Sequence, residues 1–187
     1  MTLKTKWIAI IYHLATSSRK VRNFFTPFGA LFYGLVVFSF IKIALQVDRL
    51  IGITDIFPRP FSVILASLIF LIAFILIGWS VLTFFRAKGT PVPSNPPPQL
   101  VTIGPYAYVR NPMLTGVFAL LFCIGVLLGS VSLLVIFTPL FILVNVWELK
   151  AIEKPELLKR LGQDYIEYRK STPMFFPGLR KIFKKRK

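Results

Sequence analysis

The chain is poor in the residues that most metal and nucleophilic chemistry depends on. Of its 187 residues one is cysteine and one is histidine. Cys123 by itself excludes a disulfide within the chain and any cysteine-based metal site, and His13 by itself excludes a His-rich metal cluster. A Ser-His-Asp triad could be assembled only around His13, and no metal site is expected. Acids are scarce as well, with seven Asp and Glu against 23 Lys and Arg, a net charge of +16. The apolar runs carry no central Asp, Glu or Arg of the kind that relays protons or coordinates ions, which argues against a transporter or channel.

What the chain has instead is hydrocarbon. It is 55% hydrophobic with a mean hydropathy of +0.70, too apolar for a domain whose surface must face water. The expected class is all-α, a polytopic membrane helix bundle of about four transmembrane helices with an amphipathic helix at its carboxy-terminal end. Residues 28 to 47 are long enough for one crossing, and Phe61 to Phe85 carries no charge until Arg86. Met113 to Trp147 is too long for one crossing and suits two short helices turned at Gly129-Ser130. Gly125 and Gly129 form a GxxxG spacing that lets helices approach closely and permits a homodimer. Residues 48 to 60 and 86 to 110 read as polar, proline-marked loops.

Basic residues gather at the ends: Lys4, Lys6, Arg19, Lys20 and Arg22 before the first run, and six Lys and Arg from Arg180 to Lys187. Flanks of this kind read as cytoplasmic and favour anionic headgroups, so the expected partner is the lipid bilayer, not nucleic acid. Four spans place both termini and the 86 to 110 loop on one side. Residues 7 to 16 are too short and interrupted for a cleavable signal, and fit an amphipathic stretch on the membrane surface. The resulting division is a basic interfacial segment over 1–27, two transmembrane helices over 28–85, a functional region over 86–180 and a basic tail over 181–187.

Two regions stand out chemically. From residue 100 to 116 an arginine and a proline-broken turn directly precede an apolar run, and non-helical backbone at that depth needs protein or a water-filled cavity to satisfy it. Beyond the hairpin, five of the seven acids fall between Glu148 and Glu167, on a segment whose Leu149, Ile152, Leu158, Leu161, Tyr165 and Tyr168 recur at helical spacing. Pro155 is expected to interrupt that helix near Glu153 and favour a restart. Glu156, Asp164 and Glu167 read as a solvated face, with Glu156 paired to Arg160. Glu148 and Glu153 sit where the helix leaves lipid, close to where Arg110 enters it.

These stretches resemble the superfamily of isoprenylcysteine carboxyl methyltransferases and phospholipid methyltransferases, integral membrane enzymes. The first is Gly89-Thr90-Pro91-Val92-Pro93, then Leu100 to Tyr106 and Tyr108-Val109-Arg110-Asn111-Pro112-Met113. The second is Glu153-Lys154-Pro155-Glu156-Leu157, then Leu161 to Tyr168 and Thr172 to Pro177. The resemblance covers about residues 78 to 180. It implies methyl transfer from S-adenosylmethionine, leaving S-adenosylhomocysteine, to a lipid-like or isoprenoid acceptor at the cytoplasmic membrane face. The absence of a Gly-x-Gly-x-x-Gly fingerprint agrees, since this superfamily does not use the soluble cofactor domain.

Carried over by position, the cofactor contacts are Gln99, Leu100, Val101, Tyr106, Asn111, Pro112, Met113, Leu114 and Glu153. Arg110 and Glu153 are the implied catalytic pair, Glu153 on the cofactor's amino or ribose groups and Arg110 orienting a carboxylate or phosphate. The sequence departs from the common pattern at Asn111 (usually histidine), Leu114 (usually tyrosine), Lys154 (usually a second glutamate) and Leu149 (arginine in prenylcysteine-specific members). A non-catalytic membrane scaffold is the alternative from another class.

Overall fold

The computed structural model describes residues 3–52 and 58–177. The basic tail at 181–187 and Asp55 of the expected first loop lie outside the described residues. Six α-helices follow in order: α1 Leu3–Ala15, α2 Arg19–Ile51, α3 Arg59–Arg86, α4 Pro112–Leu127, α5 Thr138–Glu148 and α6 Lys154–Ser171. No strand occurs among the described residues. Three helical stretches are long and apolar enough to cross a membrane, Arg19–Ile51, Arg59–Arg86 and Leu133–Ser171, and Pro112–Leu127 is a shorter apolar helix. The protein is an integral membrane helix bundle.

Its surface is that of a membrane protein. Phe32, Phe38, Ile64, Leu71, Phe74, Leu82, Val135 and Leu143 are exposed, whereas the buried positions of α3 are small: Ser62, Ala66, Ala73, Ser80 and Thr83. Lipid offers no hydrophobic drive for helices to associate, so close backbone approach through small residues does the packing. Gly116 of α4 shows it directly. A Cβ there would lie 2.7 Å from Ile77 Cγ1 and 3.1 Å from the Ala73 carbonyl. On the other side α4 packs Val117, Phe118 and Leu121 against Leu133 and Phe141, and α2 adds Ala44, Tyr33 and Phe40.

The GxxxG spacing closes the hairpin. A Cβ on Gly125 would meet Leu134 Cδ2 at 2.6 Å, and Gly129 turns the chain with φ +63°, a conformation that costs glycine little. The Gly125 contact is made within the chain.

The first span differs from expectation at both ends. α2 begins at Arg19, ahead of the expected Phe28, and runs through Pro27 and past Val47 to Ile51. Asp48, read as a loop residue, is therefore helical and only 6% exposed. Its Oδ2 accepts from the Ser130 hydroxyl and its Oδ1 from the Ser132 amide at 2.9 Å, while Ser130 Oγ accepts from the Leu133 amide at 3.1 Å. These free amides at the start of the returning helix need acceptors, and Asp48 supplies one from a different helix.

The returning stretch Leu133–Ser171 keeps helical geometry past Pro155, which corrects the expected interruption there, and its kink comes further on, at Gly162 with φ 56° and ψ −127°. Two π-helical stretches, Leu133–Phe137 and Leu149–Glu153, replace α-turns, and each is followed two residues later by a proline, Pro139 and Pro155. A proline inside an α-helix removes one hydrogen bond and clashes with the carbonyl four residues back. The wider turn shifts the pairing, so that Thr138 N–H bonds the Leu133 carbonyl and Lys154 N–H bonds the Leu149 carbonyl, five residues back. Both prolines are carried without a break.

Candidate functional site

The loop between α3 and α4 is ordered by bonds to three other segments. Arg22 Nη1 donates to the Pro96 carbonyl at 3.4 Å and Asn95 Nδ2 to Asn23 Oδ1 at 3.1 Å, tying it to α2. Arg160 Nη1 donates to the Pro97 carbonyl at 3.3 Å, tying it to α6. Gly89 stands where a Cβ would lie 2.2 Å from the Pro97 nitrogen, so the loop closes tightly on itself. A 3-10 turn, Gly104–Ala107, then leads into α4.

Asn111 precedes α4, and Pro112 at its first turn needs no amide partner. The amides of Arg110 and Asn111 donate to the carbonyls of Pro173 and Met174 at 2.8 and 3.1 Å, and the Asn111 side-chain amide also reaches Met174 at 3.4 Å. The segment after α6 is thereby fastened to the start of α4. This brings the two sequence regions together.

The expected site residues divide into three sets. Arg110 and Glu153 converge: Glu153 is partly buried within electrostatic reach of Arg110 and Arg160 on one hand and of Glu148 and Glu156 on the other. Arg110 also lies against the Tyr165 hydroxyl, and its Nε is buried without a hydrogen-bond partner among the described residues. Gln99 and Leu100 line a separate groove of about 860 Å³ between the loop and α6, whose opposite wall carries Arg160, Asp164, Glu167 and Tyr168. Pro112 and Leu114 are packing residues, Pro112 fully buried and Leu114 against the Phe118 and Phe141 core. Val101 and Met113 are partly buried beside these sets.

Tyr106 and Tyr168 join the groove to the charged pair. Tyr168 lines the groove, and its hydroxyl donates to the Tyr106 carbonyl at 2.7 Å. The Tyr106 ring packs on Phe84 at 4.6 Å, with its hydroxyl toward Ser80. Burial pushes the Tyr106 phenol well above its ordinary pKa, Ser80 offsets part of this, and Tyr168 and Glu153 add to it. It is a neutral hydrogen-bonding group at any ordinary pH.

Glu156 is not on a solvated face. It is 3% exposed and accepts from Arg160 Nε at 2.7 Å, so the expected pairing forms but holds Arg160 under the loop. Asp164 and Glu167 are exposed as expected, Glu167 accepting from Gln163 at 3.2 Å. Tyr165 and Tyr168 were legible as helix periodicity, and Arg160 as the partner of Glu156. No group of three or more potential metal ligands occurs among the described residues.

The fold and this site define a membrane-embedded helical protein with a polar pocket at one end of its hairpin. The chain belongs to the phospholipid methyltransferase family, whose profile matches residues 58–164, more than half of its length. That match spans α3, the loop, the hairpin and most of α6. The protein is therefore a membrane methyltransferase, and its family implies a methyl donor. No curated protein matches the chain, and no solved structure does either.

Proposed function

We propose that the protein transfers a methyl group from S-adenosylmethionine to a lipid-like or isoprenoid acceptor at the cytoplasmic membrane face, with a site laid out like that of isoprenylcysteine carboxyl methyltransferases. One observation carries this reading. Arg110, at the entry to α4, and Glu153, in the π stretch of the returning helix, lie within electrostatic reach of each other on the two arms of the hairpin, beside a groove of about 860 Å³, a size that small-molecule sites commonly have.

The donor set fits the cofactor. Glu153 offers acceptor oxygens for an ammonium or ribose hydroxyls, Gln99 adds an amide, and the buried Arg110 Nε has a hydrogen to give to a carboxylate. When bound, S-adenosylmethionine supplies an already activated sulfonium methyl, so the protein's work is alignment and exclusion of water. Tyr168 and Tyr106 wall the space between groove and charged pair, and the Arg160 contacts to Glu156 and Pro97 hold the loop over it. Both members of the pair belong to one chain, so the site needs no second copy. The basic flanks support the cytoplasmic orientation.

Calorimetric titration of the full chain in detergent with S-adenosylhomocysteine tests the reading. Binding is expected in the roughly 1 µM to 1 mM range typical of enzyme substrates, and it should weaken in Glu153→Gln. No binding at millimolar concentration overturns the methyltransferase assignment, and undiminished binding in Glu153→Gln overturns the residue's role.

A further inference from the structure

The first turn of α2 is a cluster of cations with nothing to neutralise it. Arg19, Lys20 and Arg22 open the helix without an acid, and its N-cap, Ser18, makes no side-chain hydrogen bond. The positive end of a helix disfavours cations, and like charges in one turn also repel one another. None of the three forms an ion pair among the described residues, where the one salt bridge joins Arg160 to Glu156. Arg86 and Lys88, exposed at and just past the end of α3, add to this end of the bundle, because the loop they lead into packs along α2.

That packing is close but weakly bonded. A Cβ on Gly29 would lie 2.7 Å from Val92 Cγ1, and Asn95 reaches Asn23 at 3.1 Å, but Arg22 Nη1 meets the Pro96 carbonyl only at 3.4 Å. Arg22 Nε and Ser94 Oγ are buried without hydrogen-bond partners among the described residues. The loop closes on itself through the Thr90 amide to the Asn95 carbonyl at 2.8 Å and the Asn95 amide to the Val92 carbonyl at 2.9 Å. It then passes Pro97, tied to Arg160, and reaches Gln99 and Leu100 in the groove wall. Whatever steadies the first turn of α2 therefore steadies that wall.

The cluster lies at headgroup depth. Exposed Phe24, Phe25, Phe28 and Leu31 begin the lipid-facing run of α2, and the three cations precede Phe24 by two to five residues, a rise of about 3–8 Å. The headgroup layer is roughly 5–7 Å deep on each side of the hydrocarbon. We propose that Arg19, Lys20 and Arg22 form a docking surface for anionic phospholipid headgroups, and that the lipid, by neutralising this turn, orders the loop that walls the groove. Phosphodiester oxygens accept from guanidinium and ammonium groups together, and each cation beside an anionic surface strengthens attachment roughly fivefold. The exposed acids Asp164 and Glu167 stand across the groove on α6 and pair with none of these cations. The docked lipid is distinct from any methyl acceptor, and its role does not depend on the cofactor reading.

The test compares amide hydrogen exchange of the full chain in nanodiscs of phosphatidylcholine alone and of phosphatidylcholine mixed with phosphatidylglycerol. The Thr90 and Asn95 amides are expected to exchange roughly fivefold to thirtyfold more slowly in the anionic discs, the range that one or two cations at such a surface allow. High salt should erase the difference by screening. Arg19→Gln combined with Lys20→Gln should abolish the response while the buried amides of α4 keep their protection, which shows that the variant folds. Arg169→Gln combined with Lys170→Gln, which removes the same charge from the exposed end of α6, should leave the response intact. Equal exchange in the two wild-type discs overturns the proposal, as does a difference that persists at high salt; both readings hold even where the α2 variant does not fold. A response that survives in the folded α2 variant, or is lost in the α6 variant, overturns it as well. Inorganic phosphate that protects the loop in neutral discs assigns the cluster to a free anion and overturns the lipid assignment.

Discussion

The two ends of the hairpin each hold carboxylates close to the membrane, and they treat them oppositely. At the Gly129 turn, Asp48 has an acceptor bond on each oxygen, from Ser130 and from the Ser132 amide. At the other end Glu148 has no hydrogen bond among the described residues, Glu153 stands among charges of both signs, and Arg110 Nε is buried without an acceptor. Glu156 beside them, buried and accepting from Arg160 Nε, shows that this end can also pair an acid for structure. A carboxylate whose capacity is used up holds helices together; one whose capacity is left over is available to a ligand. The same kind of group is therefore spent on structure at one end and left open to a ligand at the other.

The sharpest way to break this contrast is Glu153→Gln. It should cost about 2 kcal/mol or more of cofactor binding, the low end for removing one partner of a buried charge pair, while the detergent melting temperature changes little. Asp48→Ala should do the reverse. Leaving Ser130 and the Ser132 amide without their acceptor should destabilise the fold by about 1–3 kcal/mol, read as a lowered melting temperature with S-adenosylhomocysteine affinity preserved. Gly125→Ala, at the closed end, should cost about 1–3 kcal/mol of stability by overpacking, because the added Cβ meets both Cδ2 and Cγ of Leu134 and that side chain has to shift. Lys159→Ala, at the open end, removes a cation 3.9 Å from the Tyr12 ring centroid that ties α1 to α6. The expected loss is about 0.5–1 kcal/mol at most, visible as earlier proteolysis of the α1 segment.

The sequence made the helices legible because run length and charge-free stretches depend on local composition alone. Phe61 to Phe85 became Arg59–Arg86 with almost no change. Arg110 and Glu153 could be paired because each sits at a boundary between polar and apolar sequence. Asp48 could not be understood in the same way: its partners are in the hairpin turn, far along the chain, and nothing near it distinguishes a loop acid from a buried cap. Pro155 misled for a physical reason. Proline rules describe an α-turn, and the Leu149–Glu153 stretch is not one. Tyr33 and Asn145, whose side-chain oxygens lie 3.5 Å apart, were invisible as a pair because each looks like an ordinary member of its own span until α2 and α5 are packed together.

α2 is fastened at both extremes, to the loop through Arg22 and Asn23 and to the hairpin turn through Asp48. Its 33 residues rise about 50 Å, against a hydrocarbon layer about 30 Å thick. A helix held in this way cannot slide or fray to suit a thinner bilayer, so the bundle has to tilt as one body or draw the lipid toward it. Membrane thickness then becomes a mechanical load on the same loop that walls the groove against α6.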